Sequence, residues 1–204
     1  MQGDLRIQAA VAGARSAEQQ TFMHGNACVS RHFRLAIIHE EVSFMKKFML
    51  LHGVNHNMFG KRDPRQYGTV TLDEINEKVL SLAEELGVSV TCFQTNDEGK
   101  MVDKIHEAYL EHYDGILINA GAWTHYSYGI SDALEMLECP IIELHMSNVH
   151  KREEFRHHSV ISPIATGIII GLGADVYTLG LRALADKTGS TVTENLSNQE
   201  TCNE

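Results

Sequence analysis

No stretch of about 18 consecutive apolar residues occurs in this sequence, so nothing in it reads as a membrane-spanning helix. An excess of positive charge is missing too: 17 Lys and Arg stand against 27 Asp and Glu, a formal charge of -10. That balance argues against a broad footprint for nucleic acid or an anionic membrane, although a local basic pocket for a small anion is compatible with it. The four cysteines, Cys28, Cys92, Cys139 and Cys202, form no Cys-x-x-Cys pair and no zinc-like spacing, so they read as buried or free thiols. The N-terminus has no continuous apolar run closing on a cleavage site, and a cytoplasmic protein is expected. No internal repeat or low-complexity block appears. What is there is a chain of 204 residues, enough for one well-buried domain of ordinary size with a small-molecule partner.

Residues 1–45 show no sustained helical or strand period and are expected to form a disordered or artefactual extension. From Phe48 onward, short dense apolar runs alternate with helical stripes. Strands are expected at 48–54, 88–95, 115–119, 140–145 and 164–170, and helices at 71–86, 101–113, 127–137 and 176–185. In the first helix Leu72, Ile75, Val79, Leu82 and Leu86 share one face, opposite Asp73, Glu74, Glu77, Lys78 and Glu85. Thr71 and Glu74 have the spacing of a capping box, and Gly87 stands where that helix should stop. After Lys187 the composition turns polar, so 46–188 is expected as the folded domain and 189–204 as a disordered tail. Alternating strands and helices imply right-handed βαβ units around a parallel sheet covered on both faces. The expectation is an α/β, flavodoxin-like three-layer sandwich with five parallel strands in the order 2-1-3-4-5.

In such open sheets ligands bind beyond the carboxyl ends of the strands, near the switch in strand order. Here the first strand runs into Gly53, Val54 and Asn55, the third into Asn119, Ala120 and Gly121, and the fourth through Glu143 and His145 to Ser147 and Asn148. Polar groups suited to a site therefore gather at one sheet edge. The connection from Asn55 to Gly68 is longer than the usual few residues of a βα loop, with glycines near both ends and Lys61, Arg62 and Arg65 close to Tyr67. Such a loop can serve as a lid, or simply as a surface loop. Cations beside Tyr67 would stabilise its phenolate and suit it to act as a base.

The motifs GKRDPRQYG at 60–68, INAGAWTHYS at 118–127, IELHMSNVHKREEFR at 142–156, SPIATG at 162–167 and GLG at 171–173 resemble the type II 3-dehydroquinate dehydratases. The likeness runs in order and at family spacing from about Phe48 to Ala185. It implies an anti elimination of water from 3-dehydroquinate to 3-dehydroshikimate through an enolate, with no Schiff base, no cofactor and no metal. It implies Tyr67 as general base with Arg62 lowering its pKa, and an enolate stabilised through a water held by Asn55. His145 would be the general acid, with Glu143 orienting its ring. Asn119, His125, Ser147 and Arg156 would hold the substrate together with backbone N–H groups at Met146 and Ser147. Asp132 would reach a neighbouring subunit's site, because the family assembles as trimers, usually four of them in a dodecamer. The work could belong to the shikimate pathway or to quinate catabolism.

This chain departs from the family pattern in having His52-Gly53-Val54-Asn55 where Asn-Gly-Pro-Asn is usual. It also carries Trp123 in place of a smaller or different residue and Ser131 in place of a common arginine. These differences leave open a divergent homologue that acts on or binds a related cyclic polyhydroxy acid. A metal hydrolase built on His145, His150, His157 and His158 has no HExxH-like pair to support it. A non-catalytic binding protein would more naturally have lost Tyr67 or His145, and the phosphate loop of flavodoxins and the paired aspartates of response regulators are absent.

Glu40-Glu41-Val42 can be encoded by GAGGAGGTN, which resembles a bacterial ribosome-binding site two codons before Met45. The natural start is therefore expected at Met45. Intact-mass measurement of the protein expressed from its own locus should give a chain beginning there, and a mass that includes Met1 ends the idea.

Overall fold

The computed structural model describes residues 45–61 and 69–189. The expected extension at 1–45, apart from Met45, lies outside those residues, as do the 189–204 tail beyond Gly189 and both Arg62 and Tyr67 of the loop.

Five strands, β1 (Lys47–His52), β2 (Ser89–Gln94), β3 (Gly115–Asn119), β4 (Ile141–His145) and β5 (Gly167–Ile170), form one sheet in the order β2-β1-β3-β4-β5, every pairing parallel. Four helices cover it: α1 (Leu72–Glu85), α2 (Glu98–Leu110), α3 (Tyr128–Glu135) and α4 (Asp175–Lys187). Successive strand side chains point to opposite faces, so the continuous apolar run of β1 splits between two cores. Phe48 and Leu50 pack with Ile75 and Val79 of α1 and Leu181 and Leu184 of α4. Met49 and Leu51 pack with Met101 and Ile105 of α2 and Ile130 and Leu134 of α3. This is the flavodoxin-like three-layer α/β sandwich that the sequence predicts.

The elements begin and end where local chemistry dictates. Thr71 and Glu74 form a reciprocal capping box, with Thr71 N–H donating to Glu74 Oε2 at 2.7 Å and Glu74 N–H to Thr71 Oγ1 at 3.2 Å. Helix α2 starts three residues before its apolar stripe, because Asp97 accepts from Lys100 N–H at 3.1 Å and caps a polar first turn. Strand β5 starts at Gly167 rather than 164, since Ile164 and Ala165 N–H groups turn back to Ile161 O. Burial pushes the thiols of Cys92 and Cys139 up to about 11, which keeps both in the inert protonated form.

The family-unusual His52 ends β1 with no exposure. Its Nε2 donates to Asn76 Oδ1 of α1 at 2.9 Å, and its Nδ1 has no hydrogen-bond partner among the described residues. Burial lowers its pKa from 6.5 to about 4, against the opposing effect of the Asn76 bond. The unfolded chain therefore takes up a proton before the folded one does. Stability from this site is complete above pH 6.5 and is lost as pH falls through 6.5 towards 4, by roughly 3 kcal/mol at the acid end. Urea unfolding of the parent across that window should show this loss, and His52→Asn should flatten the slope whatever its effect on absolute stability. Equal slopes in the two proteins count against it.

Candidate active site

Two chain crossings at the switch in strand order shape the site. Gly53 N–H donates to Asn119 O at 2.8 Å just beyond β1 and β3, and a Cβ on Gly53 would lie 2.1 Å from Ala120 O. Only glycine permits that approach. The next residues turn sharply: Asn55 sits at φ 66, ψ 8, a left-handed conformation that asparagine tolerates better than most. Its backbone N–H donates to Asn96 Oδ1 at 2.8 Å. Gly121, at φ 65, does the same for the chain leaving β3.

Between these turns and the end of β4 lies a cavity of about 200 Å³. Asn55, Asn119, His125, His145, Met146, Ser147 and Arg156, seven of the residues expected from the sequence, line it. His56, Phe59 and Arg152 also form its wall, and among the described residues no Asp or Glu does. A small anion is the ligand such a lining suits, because it brings two guanidiniums to one cavity. Asp132 stands apart, exposed on α3 and not among the lining residues.

Glu143 and His145 are two apart on β4 and so share a face. Glu143 is fully buried, and His145 Nε2 meets its Oε1 at 2.9 Å. Burial alone would drive the Glu143 carboxyl up. The hydrogen bond and charge of His145, with the hydroxyls of Ser162 and Thr124, outweigh it and bring the group down to about 2. His145 thus stands on an anion that holds its ring by Nε2 at the wall of the cavity.

The remaining polar residues are held one by one. Asn119 Nδ2 donates to the buried Tyr177 hydroxyl at 2.8 Å, and its Oδ1 accepts from Gly121 N–H at 3.3 Å. His125 Nδ1 lies 2.8 Å from His158 O; a carbonyl can only accept, so that nitrogen carries the hydrogen. Burial lowers the pKa of His125, with the nearby charges of Arg156 and His145 acting in the same sense against the His158 bond. Arg152 Nη1 donates to Ser147 Oγ at 3.2 Å, and Arg156 Nε donates to the exposed Glu153 carboxylate at 2.8 Å. Of the departures from the family pattern, Val54 is on the cavity wall and Trp123 is packed in the core beside it. Ser131 is buried, donating to Val160 O at 2.9 Å. Among the described residues no group of three or more His, Cys, Asp or Glu side chains could hold a metal ion.

Sequence reasoning missed Arg152 and His56. Arg152 stands four residues before Arg156 in a basic run, but only the turns at Val149–Lys151 and Glu154–His157 bring both to one cavity. His56 follows Asn55 directly, and nothing in the spacing says that the short 3-10 turn His56–Met58 folds its ring inward against Phe59 at 4.6 Å.

A flavodoxin-like domain whose sheet edge presents a carboxylate-backed imidazole and paired guanidiniums to a small cavity is an acid–base enzyme of small anionic substrates in its architecture. The family described as Dehydroquinase class II matches residues 46–185, and the chain belongs to it. The 3-dehydroquinate dehydratase of Syntrophotalea carbinolica is 61% identical over 142 residues, 70% of this chain and 96% of that protein. That of Leptothrix cholodnii is 61% identical over 135 residues, 66% of this chain and 91% of the relative. Among solved structures, the type II dehydroquinase from Propionibacterium acnes has 43% identity and a TM-score of 0.68, covering 71% of this chain and 99% of its own.

Arg152→Met keeps the stem and removes the charge. It should weaken binding of a small carboxylate substrate roughly ten- to a hundredfold, the scale of a hydrogen bond to a charged group, with little change in urea stability. Calorimetric titration measures this, and unaltered affinity would remove Arg152 from the site.

Proposed function

We propose that this protein is a 3-dehydroquinate dehydratase, a hydro-lyase that removes water from 3-dehydroquinate in an anti sense to give 3-dehydroshikimate. The observation that carries this reading is the single cavity in which His145, backed by Glu143, meets Asn55, Asn119, His125, Ser147 and Arg156. Its relatives, between 46% and 61% identical in five separate comparisons, bear that name.

In this reading Tyr67, its phenolate favoured by Arg62, takes the proton beside the ketone and leaves an enolate. Asn55 stabilises the enolate oxygen through a water. His145 then delivers its proton to the departing hydroxyl, which leaves as water, while Glu143 holds the ring and balances its charge. Anti geometry needs the base and the acid on opposite faces of the ring. A base from the loop after Asn55 and an acid from the end of β4 come from separate parts of the chain, which supports that division. Asn119, His125, Ser147, Arg156 and the backbone N–H groups of Met146 and Ser147 hold hydroxyls and carboxylate.

Assembly into trimers, and of trimers into a dodecamer, belongs to the same proposal. Its support is Asp132, which is exposed on α3 and outside its own chain's cavity, as a residue offered to a neighbour's site would be. A cytoplasmic place in the shikimate pathway or in quinate breakdown completes the reading. No helix among the described residues is long and apolar enough to cross a membrane.

The test follows the ultraviolet absorbance of the conjugated enone product from 3-dehydroquinate. The parent should turn over, and Tyr67→Phe should lose roughly a hundred- to ten-thousandfold in kcat with its fold intact. A parent that leaves 3-dehydroquinate untouched defeats the activity, and a fully active variant takes the base role from Tyr67.

A further inference from the structure

The acid of the proposed reaction rests on Glu143, and Glu143 rests on three hydroxyls that do not face the cavity. Thr124 and Ser159 reach its Oε1, Ser159 at 2.8 Å, and Ser162 reaches Oε2. With His145 Nε2 at 2.9 Å on Oε1, the carboxylate has four hydrogen-bonding neighbours, three on Oε1 and one on Oε2.

The direction of these bonds follows from the turn at 159–162. Ser159 Oγ accepts from the backbone N–H of Ile161 at 3.1 Å and of Ser162 at 2.9 Å. Both of its lone pairs are thereby engaged, so its own hydrogen is left to donate, and Glu143 Oε1 is its nearest acceptor. Thr124 lies 3.1 Å from Ser159 Oγ but closer to Glu143 Oε1, and an anionic oxygen is a stronger acceptor than a hydroxyl, so the Thr124 hydrogen also goes to Glu143. Ser162 is oriented by the same turn through its backbone N–H. The turn is itself tied to the strand-end segment that carries Thr124, since Val160 N–H donates to Thr124 O at 2.8 Å.

We propose that Thr124, Ser159 and Ser162 are positioning residues of the acid, a hydroxyl shell that admits Glu143 only as the anion and so keeps the shared proton on His145. A buried carboxylate and imidazole can share one proton in two ways, as an ion pair or as a neutral acid beside a neutral ring, and low polarity favours the neutral form. Three donors on the carboxylate reverse that preference, because hydrogen bonds to the charged form favour it. Neither neighbouring strand, Gly115–Asn119 or Gly167–Ile170, carries a titratable side chain. Among the described residues, the other titratable or charged groups around the pair are His56, His125, Arg152 and Arg156 on the cavity side and the Tyr177 phenol of α4.

The inference about catalysis rests on the proposed dehydratase reading; the part about Glu143 does not, and the test separates them. In carbon-13-labelled protein the Glu143 carboxyl signal is assigned by its loss in Glu143→Gln. Its titration midpoint should rise by roughly one pH unit in Ser162→Ala and again in the double variant with Thr124→Val. Ser162→Thr, which keeps the hydroxyl, should restore the parent's midpoint. In turnover of 3-dehydroquinate, the same variants should lower the plateau of kcat, because part of the shared proton then sits on Glu143 instead of on the ring. A midpoint that does not move when folded Ser162→Ala or Thr124→Val is titrated overturns the proposal, whether or not the parent dehydrates 3-dehydroquinate. A midpoint that rises while the parent is inactive retains the hydroxyl shell and refutes only the reaction.

Discussion

A carboxylate with no exposed surface, in the middle of a parallel strand, is the most demanding feature of this domain. Glu143 pays for its desolvation with partners drawn from β4 itself, from the turn that follows β3 and from the turn that precedes β5. Removing any one of those segments would strand a charge in the core. The demand therefore couples three parts of the chain far apart in sequence, and it binds them at the sheet edge where the cavity opens.

The sheet meets that demand because its strands are parallel and all end together. Parallel pairing of β1, β3 and β4 delivers Asn55, Asn119 and His145 to one rim, and the glycine at 53 lets the first and third strands leave it almost in contact. Beneath the rim, the same architecture handles a second buried ionisable group in the opposite way. Among the described residues His52 is given an amide and no anion, and burial holds it neutral, whereas His145 is given an anion. Two histidines on neighbouring layers of one sheet thus serve different ends, and the partner each receives is what separates them.

Much of the architecture was legible because periodicity reports burial directly. The run Phe48-Met49-Leu50-Leu51 is apolar on both faces, which a half-exposed strand would not be, and it is the central β1. Errors fell where polar residues make structure: Asp97 starts α2 before any apolar stripe appears, and the turn at 161–165 delays β5. In the site, strand ends pointed to Asn55, Asn119, Glu143, His145 and Ser147, since a residue at the carboxyl edge of a parallel strand has one place to go. Arg152, His56 and the hydroxyls of Thr124, Ser159 and Ser162 were not legible. Their roles depend on short turns that carry no period, and serine or threonine in a loop ordinarily means only a turn.

Sequence alone determined the class of fold, the order of its strands, the family and the rim on which the chemistry lies, because each follows from the alternation of apolar runs or from long motifs in fixed order. Only the tertiary structure decided what each polar group is bonded to: that Glu143 is caged by hydroxyls, that Asn119 leans on Tyr177, that Arg152 joins Arg156, and that His52 is buried against the amide of Asn76. Those facts depend on distances of about 3 Å between residues tens of positions apart, and such distances exist only once the chain has folded.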